Sequence, residues 1–426
     1  TTEIYTLSLH DALPICLEGF SSPLVWIYDL SATPPVAWIT STVMGQATFS
    51  AKSGHAYAVV GSLSHNTLKT IEPAHSLELP NEMVDYLVVG SSALQETYRP
   101  IIETRQRQGW KVWSVDWMSV CNQYNDGFVE PQAIQKFLRI GIEQGWVSQD
   151  SQVVLLGDAT YFPAVQSRGG QGFIPTFFVK TLNGGLSPSD VLMTDLDGDQ
   201  RPELALGRIP SSNPSDLSAL VQKMLDYEKH PQQPSIFVVA DGQEVQFQDS
   251  ANLFLKQVPS SFEKELYTPP PGMIGANTII QQQFNQGRSL IVYFGHGSLK
   301  MWGKDRIFTI QDVEKLSNQS YPIVMQMTCL SGFFVHPEIV SLSEKMLWQP
   351  NGGAIAAISP TGLTFPNDQR LLGEAFVQHS LTFNSSTIGS SLLKAWQSLP
   401  NTPGTREVLL TFLLLGDPTL KIATIP

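Results

Sequence analysis

From Ser22 to Val60 apolar and polar positions alternate in short runs, LVWIYDL, VAWITSTV, ATFSA and AYAVV, separated by Pro-Pro and Gly. Period-two alternation broken by turn residues is the pattern of antiparallel strands and predicts a β-rich region. Gly61–Asn81 is polar, contains prolines and has no period, as a linker does. Beyond Glu82 the pattern changes. Apolar runs too short for helices, DYLVVGS, KVWSVDW and QVVLLGD, alternate with helical spacing over Leu94–Gln108 and Pro131–Gln144. That βαβα order predicts a parallel sheet covered by helices. A loop-rich stretch, Ala159–Leu204, and a helix over Asp216–Lys229 lead into a second series. It has strands at Ser235–Ala240, Leu290–Phe294, Ile323–Met327 and Ala354–Ile358, and helices at Gln248–Gln257 and Ile339–Trp348. The expected organisation is the remnant of a β-rich domain with its linker over 16–75, one α/β subdomain over 80–230 and a second over 231–426.

A length of 426 residues supports more than one core, and Lys+Arg 26 against Asp+Glu 38 gives a net charge of -12. Such a balance offers no footprint for nucleic acid or an anionic membrane. The longest apolar stretch, Val408–Leu415, is far short of the roughly 20 residues that span a bilayer. Cys16, Cys121 and Cys329 make no C-x-x-C pair and no disulfide framework. Low charge with abundant Gly, Pro and Trp leans toward an extracellular or cell-surface protein. Thr1–Ile15, TTEIYTLSLHDALPI, resembles one reading frame of a common sequencing adapter. It is set aside from the fold reasoning, with its His10 and Asp11. It is expected to pack poorly, and the natural N-terminus is expected to lie upstream.

Two strands of the second series end in reactive side chains. SLIVYFGHG puts His296 just past one carboxyl end, and YPIVMQMTCLSG puts Cys329 just past the other. In an open parallel sheet the carboxyl ends line the edge where ligand crevices form. On neighbouring strands the imidazole would assist thiolate formation and return a proton to the leaving group. The alternative is two structural residues, a small buried thiol and a satisfied histidine.

Gly295-His296-Gly297-Ser298 with Trp302-Gly303, then Thr328-Cys329 and Gly332-Phe333, resembles the catalytic core of the gingipain family of bacterial cysteine peptidases. Leu156-Gly157-Asp158 with Pro163, Gly207-Arg208-Ile209, Glu344, Ala354–Ile358 and Gly416-Asp417-Pro418-Thr419-Leu420 extend the resemblance over Val84–Ile422. It implies a caspase-like α/β catalytic domain of two subdomains, with mainly parallel sheets flanked by helices. It also implies endopeptidase activity through an acyl-enzyme, with Cys329 the nucleophile and His296 the general acid and base. The N–H groups of Gly297 and Cys329 would form the oxyanion hole. Asp241, after the strand that opens the second subdomain, would orient His296, though the family's residue is a glutamate; the other reading is a turn cap. An acidic residue after it, Glu244 or Asp249, would set Arg or Lys preference, and the loop Ser359–Phe365, with Ser359 and Thr361, would wall the substrate pocket.

Asp195, Asp197, Asp199 and Glu203 put oxygens at positions 1, 3, 5 and 9 of a short loop. A structural Ca2+ would suit that donor set; the other reading is a solvated acidic turn. No cofactor is expected for catalysis. His336 is a rival base for the thiol but reads as a loop residue, and Cys121 reads as a buried, inert thiol. His55, His65 and His75 recur at even steps too long for metal ligation. The leading expectation is a secreted endopeptidase cleaving protein or peptide substrates. The alternatives are a sortase-like transpeptidase linked to a secretion apparatus and a calcium-stabilised binding module without activity.

Overall fold

The computed structural model describes residues 4–8, 14–32, 36–61, 77–161, 172–183, 185–230, 233–381 and 387–422. The chain forms two compact units, Thr1–Pro73 and Ala74–Pro426.

In the first unit the alternating runs become strands Leu24–Asp29, Val36–Ser41, Ala47–Ser50 and Ala56–Val60. Every second side chain turns inward, so Val25, Ile27, Phe49, Tyr57 and Val59 make a small core. Against expectation, part of Thr1–Ile15 joins this unit: Ile4–Ser8 pairs antiparallel with Ala56–Val60, and Pro14–Leu17 with Ala47–Ser50. This pairing counts against setting the segment aside from the fold. His55 is held by Asp29, Nδ1 to Oδ2 at 2.8 Å. His65, His75 and Pro163 lie outside the described residues.

The second unit is built on one ten-stranded sheet. Its order is Glu263–Tyr267, Ser235–Ala240, Leu290–Phe294, Ile323–Met327, Ala356–Pro360, Phe412–Leu415, Ala205–Ile209, Val147–Leu156, Val84–Gly90, Val112–Asp116. The central strands are apolar on both faces because helices cover both, as parallel sheets require. The first five strands are mutually parallel, and so are the last five. The halves meet where Ala356–Pro360 and Phe412–Leu415 run antiparallel. The two expected subdomains therefore share a sheet but point their carboxyl ends in opposite directions.

Three of these strands, Glu263–Tyr267, Ala205–Ile209 and Phe412–Leu415, are absent from the sequence reading, as are helices Ala276–Asn285, Pro366–Leu381, Ile388–Ser398 and Pro403–Thr411. The supposed loop Ala159–Leu204 contains a hairpin, Phe177–Thr181 paired with Gly185–Ser189. The hairpin's base is tied by Thr176 Oγ1 donating to Asp190 Oδ1 (2.7 Å), and Asp190 is paired with the buried Arg208. Farther along, Ser187 Oγ meets Thr361 Oγ1 (2.9 Å) past the end of Ala356–Pro360.

Candidate active site

Leu290–Phe294 and Ile323–Met327 are adjacent and parallel, in a register that pairs Phe294 with Met327. His296 and Cys329 each follow two residues later, so they leave the sheet at the same level of the same carboxyl edge. Tyr293 fixes the first of them: its hydroxyl donates to the His296 carbonyl (2.6 Å) and its ring stacks on Trp302, centroids 4.6 Å apart. The backbone of Gly297 runs against the second. A Cβ there would lie 2.3 Å from Thr328 Oγ1 and 3.1 Å from the Cys329 carbonyl oxygen, so only glycine fits.

The carboxylate on the imidazole belongs to Glu244, not Asp241. His296 Nε2 lies 2.6 Å from Glu244 Oε1, with Lys304 Nζ 3.8 Å from the same oxygen. Phe247 stands edge-on to the imidazole at 5.1 Å. Asp241 is buried and occupied elsewhere: its Oδ1 accepts from Gln243 N (3.1 Å), and its Oδ2 lies 3.5 Å from the Tyr293 hydroxyl. It ends the strand too deep to reach the ring, while Glu244 sits at the start of helix Val245–Gln257 with a longer side chain. The hydrogen bond from His296 holds the Glu244 carboxyl below the usual range, against a small opposing effect of burial. With Nε2–H given to Glu244, Nδ1 is the ring nitrogen left to accept a proton.

Cys329 is partly buried, and its Sγ lies 3.8 Å from the Thr364 carbonyl. Burial pushes the thiol above its ordinary value. The loop that carries it is tied down by groups the sequence reading missed. Gln369 Nε2 donates to the carbonyls of Thr328 (2.7 Å) and Thr364 (3.1 Å), bracketing the sulfur. Gln326 accepts from Trp302 Nε1 (2.7 Å) and donates to Ser343 and Ser359. Leu330, next to the cysteine, has φ of 59°, a left-handed conformation that costs a branched residue energy and is held by the surroundings. A polar side chain inside the apolar run Ile323–Met327 is the signal that marks Gln326 in retrospect; Gln369 lies in the polar stretch Asn367–Arg370 and carries no such signal.

The expected pocket residues divide. Ser359 is fully buried in the Gln326–Ser343 network. Asp249 is exposed on helix Val245–Gln257. Thr361 does line a cavity of about 380 Å3 between the Cys329 loop and the hairpin, with Tyr161, Leu299, Leu330, Phe333 and Leu363. His336 lines it too; its Nδ1 accepts from the backbone of Glu338 (3.1 Å) and Ile339 (3.0 Å), the geometry of a turn cap. Cys121 is buried with its thiol pushed up to about 12, an unreactive state.

Away from the crevice, Asp195, Asp197 and Glu203 can bring one oxygen each within 4.8 Å of one another, while Asp199 falls outside that group. Burial, with the neighbouring carboxylates adding to it, pushes Glu203 up to about 7. Asp195 Oδ1 and Oδ2 also accept from Gly198 N and Gln200 N (2.8 and 3.1 Å).

A profile of peptidase family C25 matches residues 79–423. The chain belongs to that family. Gingipain R2 of Porphyromonas gingivalis is 23% identical over 251 residues, covering 55% of this chain and 31% of that protein. Gingipain R1 of the same organism is 23% identical over the same length and is covered to 23%. The chain thus spans less than a third of these relatives. Among solved structures, the Arg-specific cysteine proteinase gingipain R superposes with a TM-score of 0.65 at 18% identity, over 82% of this chain and 80% of that one. The complex of RgpB pro- and mature domains gives 0.62 at 18% identity over 79% of each. By family, this C25 chain is a cysteine-type peptidase with the gingipain fold. Among the described residues no helix is long and apolar enough to cross a membrane.

Proposed function

We propose that the chain is an endopeptidase that hydrolyses protein or peptide substrates outside the cell or at its surface, through a Cys329–His296 acyl-enzyme. The register that brings these two residues to one edge, with Glu244 on the imidazole, carries this reading.

The Cys329 thiol gives its proton to His296 Nδ1 as Sγ bonds to the scissile carbonyl carbon. Charge on the carbonyl oxygen is met by the N–H groups of Gly297 and Cys329; such donors act on the transition state more than on the ground state. The C–N bond then breaks and the imidazolium hands its proton to the departing amine, leaving a thioester. Water attacks the thioester, its proton passes through Nδ1 to the sulfur, and the free thiol returns. Glu244 stabilises the imidazolium at each stage and holds the tautomer.

Labelling with peptidyl acyloxymethyl ketones, read by intact mass, tests this. One adduct that maps to Cys329 and is lost in Cys329→Ala supports it; no adduct on a folded protein removes it. Adding an amine acceptor to a turnover assay separates hydrolysis from transpeptidation. The loop Asp195–Glu203 is read as a structural calcium site on the chemistry of its hard oxygen donors. Excess calcium should raise the thermal midpoint and a chelator should lower it, and a midpoint insensitive to both would remove the site.

A further inference from the structure

Gingipain-type preference for Arg or Lys requires a carboxylate where the substrate side chain ends. The two candidates by sequence are both accounted for elsewhere: Glu244 is bound to His296 and Lys304, and Asp249 is exposed on a helix. The cavity lined by Leu299, Leu330, Phe333 and Leu363 has a different character. Leu330 follows Cys329 directly, Leu299 lies three residues past His296, and Leu363 precedes the Thr364 carbonyl that the sulfur touches. Phe333 and Tyr161 close it, and Leu186 of the hairpin stands at it with 65% of its surface exposed. Among the described lining residues there is no Asp or Glu.

Leu299, Leu330, Phe333 and Leu363 are all only half buried, so each leaves apolar surface at the cavity. Covering such surface is favourable in proportion to its area. Placing an ammonium or guanidinium there would strip its water without supplying an opposite charge, which is strongly unfavourable. Phe365, which follows the Thr364 carbonyl that the sulfur touches, is apolar and 53% exposed as well.

We propose, resting on the peptidase reading above, that this cavity takes an uncharged, apolar side chain of the substrate next to the scissile bond and rejects Lys and Arg. The determinant lies on the hairpin and on the three loops that carry Leu299, Leu330 and Leu363 rather than on the helix that carries Asp249.

The test is a peptide library randomised at the two residues flanking the scissile bond, with products read by mass spectrometry, run on the full chain and on Leu186→Glu. Leu186 is exposed, so the variant should fold. For the wild type, Leu, Met and Phe should exceed Lys and Arg by more than about tenfold at one flanking position, in line with the discrimination that apolar pockets give. At that same position Leu186→Glu should raise cleavage after or before Lys and Arg by at least about tenfold. A wild-type preference for Lys or Arg, or a profile unmoved by Leu186→Glu, overturns the assignment. Binding of the same peptides to Cys329→Ala reads the cavity without turnover. Tighter binding of Phe than Lys peptides there supports the cavity even if the peptidase reading fails, and equal binding overturns it.

Discussion

A histidine with one ring nitrogen committed to a carboxylate has its tautomer chosen for it. In this site Glu244 makes that choice, and its removal should be felt in turnover more than in binding. Glu244→Gln is expected to lower kcat about a hundredfold with KM little changed, a loss within the usual range for a group that supports acid–base catalysis. Asp241→Asn, which perturbs Tyr293 and the turn at Gln243 instead, should cost less; steady-state kinetics of the two variants separates them. The pH dependence has a definite sign. Glu244 is held below its ordinary value in the fold. The interaction with His296 is therefore complete above about pH 4.5 and is lost only as the pH falls further. The Cys329 thiol is pushed the other way by burial. Its alkylation by iodoacetamide in the free protein should keep accelerating as pH rises past 9, while Cys121 stays unlabelled. Cys329 and His296 were legible in the sequence because each ends an apolar strand in a reactive group. The Glu244 contact was not, because it depends on side-chain length and on how a helix leaves the sheet, which residue type alone does not report.

Helices and loops supply what the strand ends cannot. The helix Pro366–Leu381 reaches the nucleophile loop through one side chain, Gln369, which bonds the carbonyls on either side of the sulfur. Gln369→Leu should lower kcat by about tenfold with little change in KM, since it frees the loop without touching substrate contacts. A second buried polar group secures the far end of helix Leu342–Trp348: Lys223 Nζ donates to the carbonyls of Met346 (3.1 Å), Gly352 (3.1 Å) and Ala354 (2.9 Å). Lys223→Met removes the donor that these three buried carbonyls share, only Met346 keeping a bond from Ala354 N, and should cost about 3 kcal/mol by denaturant unfolding. Burial pushes Lys223 down to about 7 in the fold. Between there and the unfolded value near 10.4 the unfolded chain binds the extra proton, so wild-type stability should rise with pH through that window and the variant's should not share the rise. Strands of the second series were readable because both faces are apolar. Glu263–Tyr267 (EKELY), at the sheet edge, was not, because only one side needs cover and its polar residues hide the period.

Across the whole catalytic unit, the decisive geometry is the seam between the two halves of the sheet. One strand away from it, Gly207 approaches Gly416, at the end of the seam strand Phe412–Leu415, so closely that a Cβ would sit 2.3 Å from the Gly416 carbonyl oxygen. Gly207→Ala should therefore destabilise by about 3 kcal/mol, measured by chemical unfolding, because backbone rather than a movable side chain must give way. The seam also explains what the sequence could not announce. Gly207-Arg208-Ile209 and Gly416-Asp417-Pro418-Thr419-Leu420 look like site motifs, yet they build the interior. Asp417 is fully buried and accepts from the Tyr98 hydroxyl (2.9 Å), and Arg105 Nε donates to Thr419 (2.6 Å). An antiparallel seam between two parallel halves cannot be inferred from βαβα alternation, which fixes direction only within each series. Because the halves point opposite ways, the carboxyl ends of the half that holds Val84–Gly90 and Val147–Leu156 face away from the chemistry. Its described contribution to the cavity comes from connecting segments, Tyr161 and the hairpin Phe177–Ser189. On the proposed reading, part of the chain's taste sits on a hairpin that carries neither reactive residue, so its diet could be changed there while the reactive pair stays untouched.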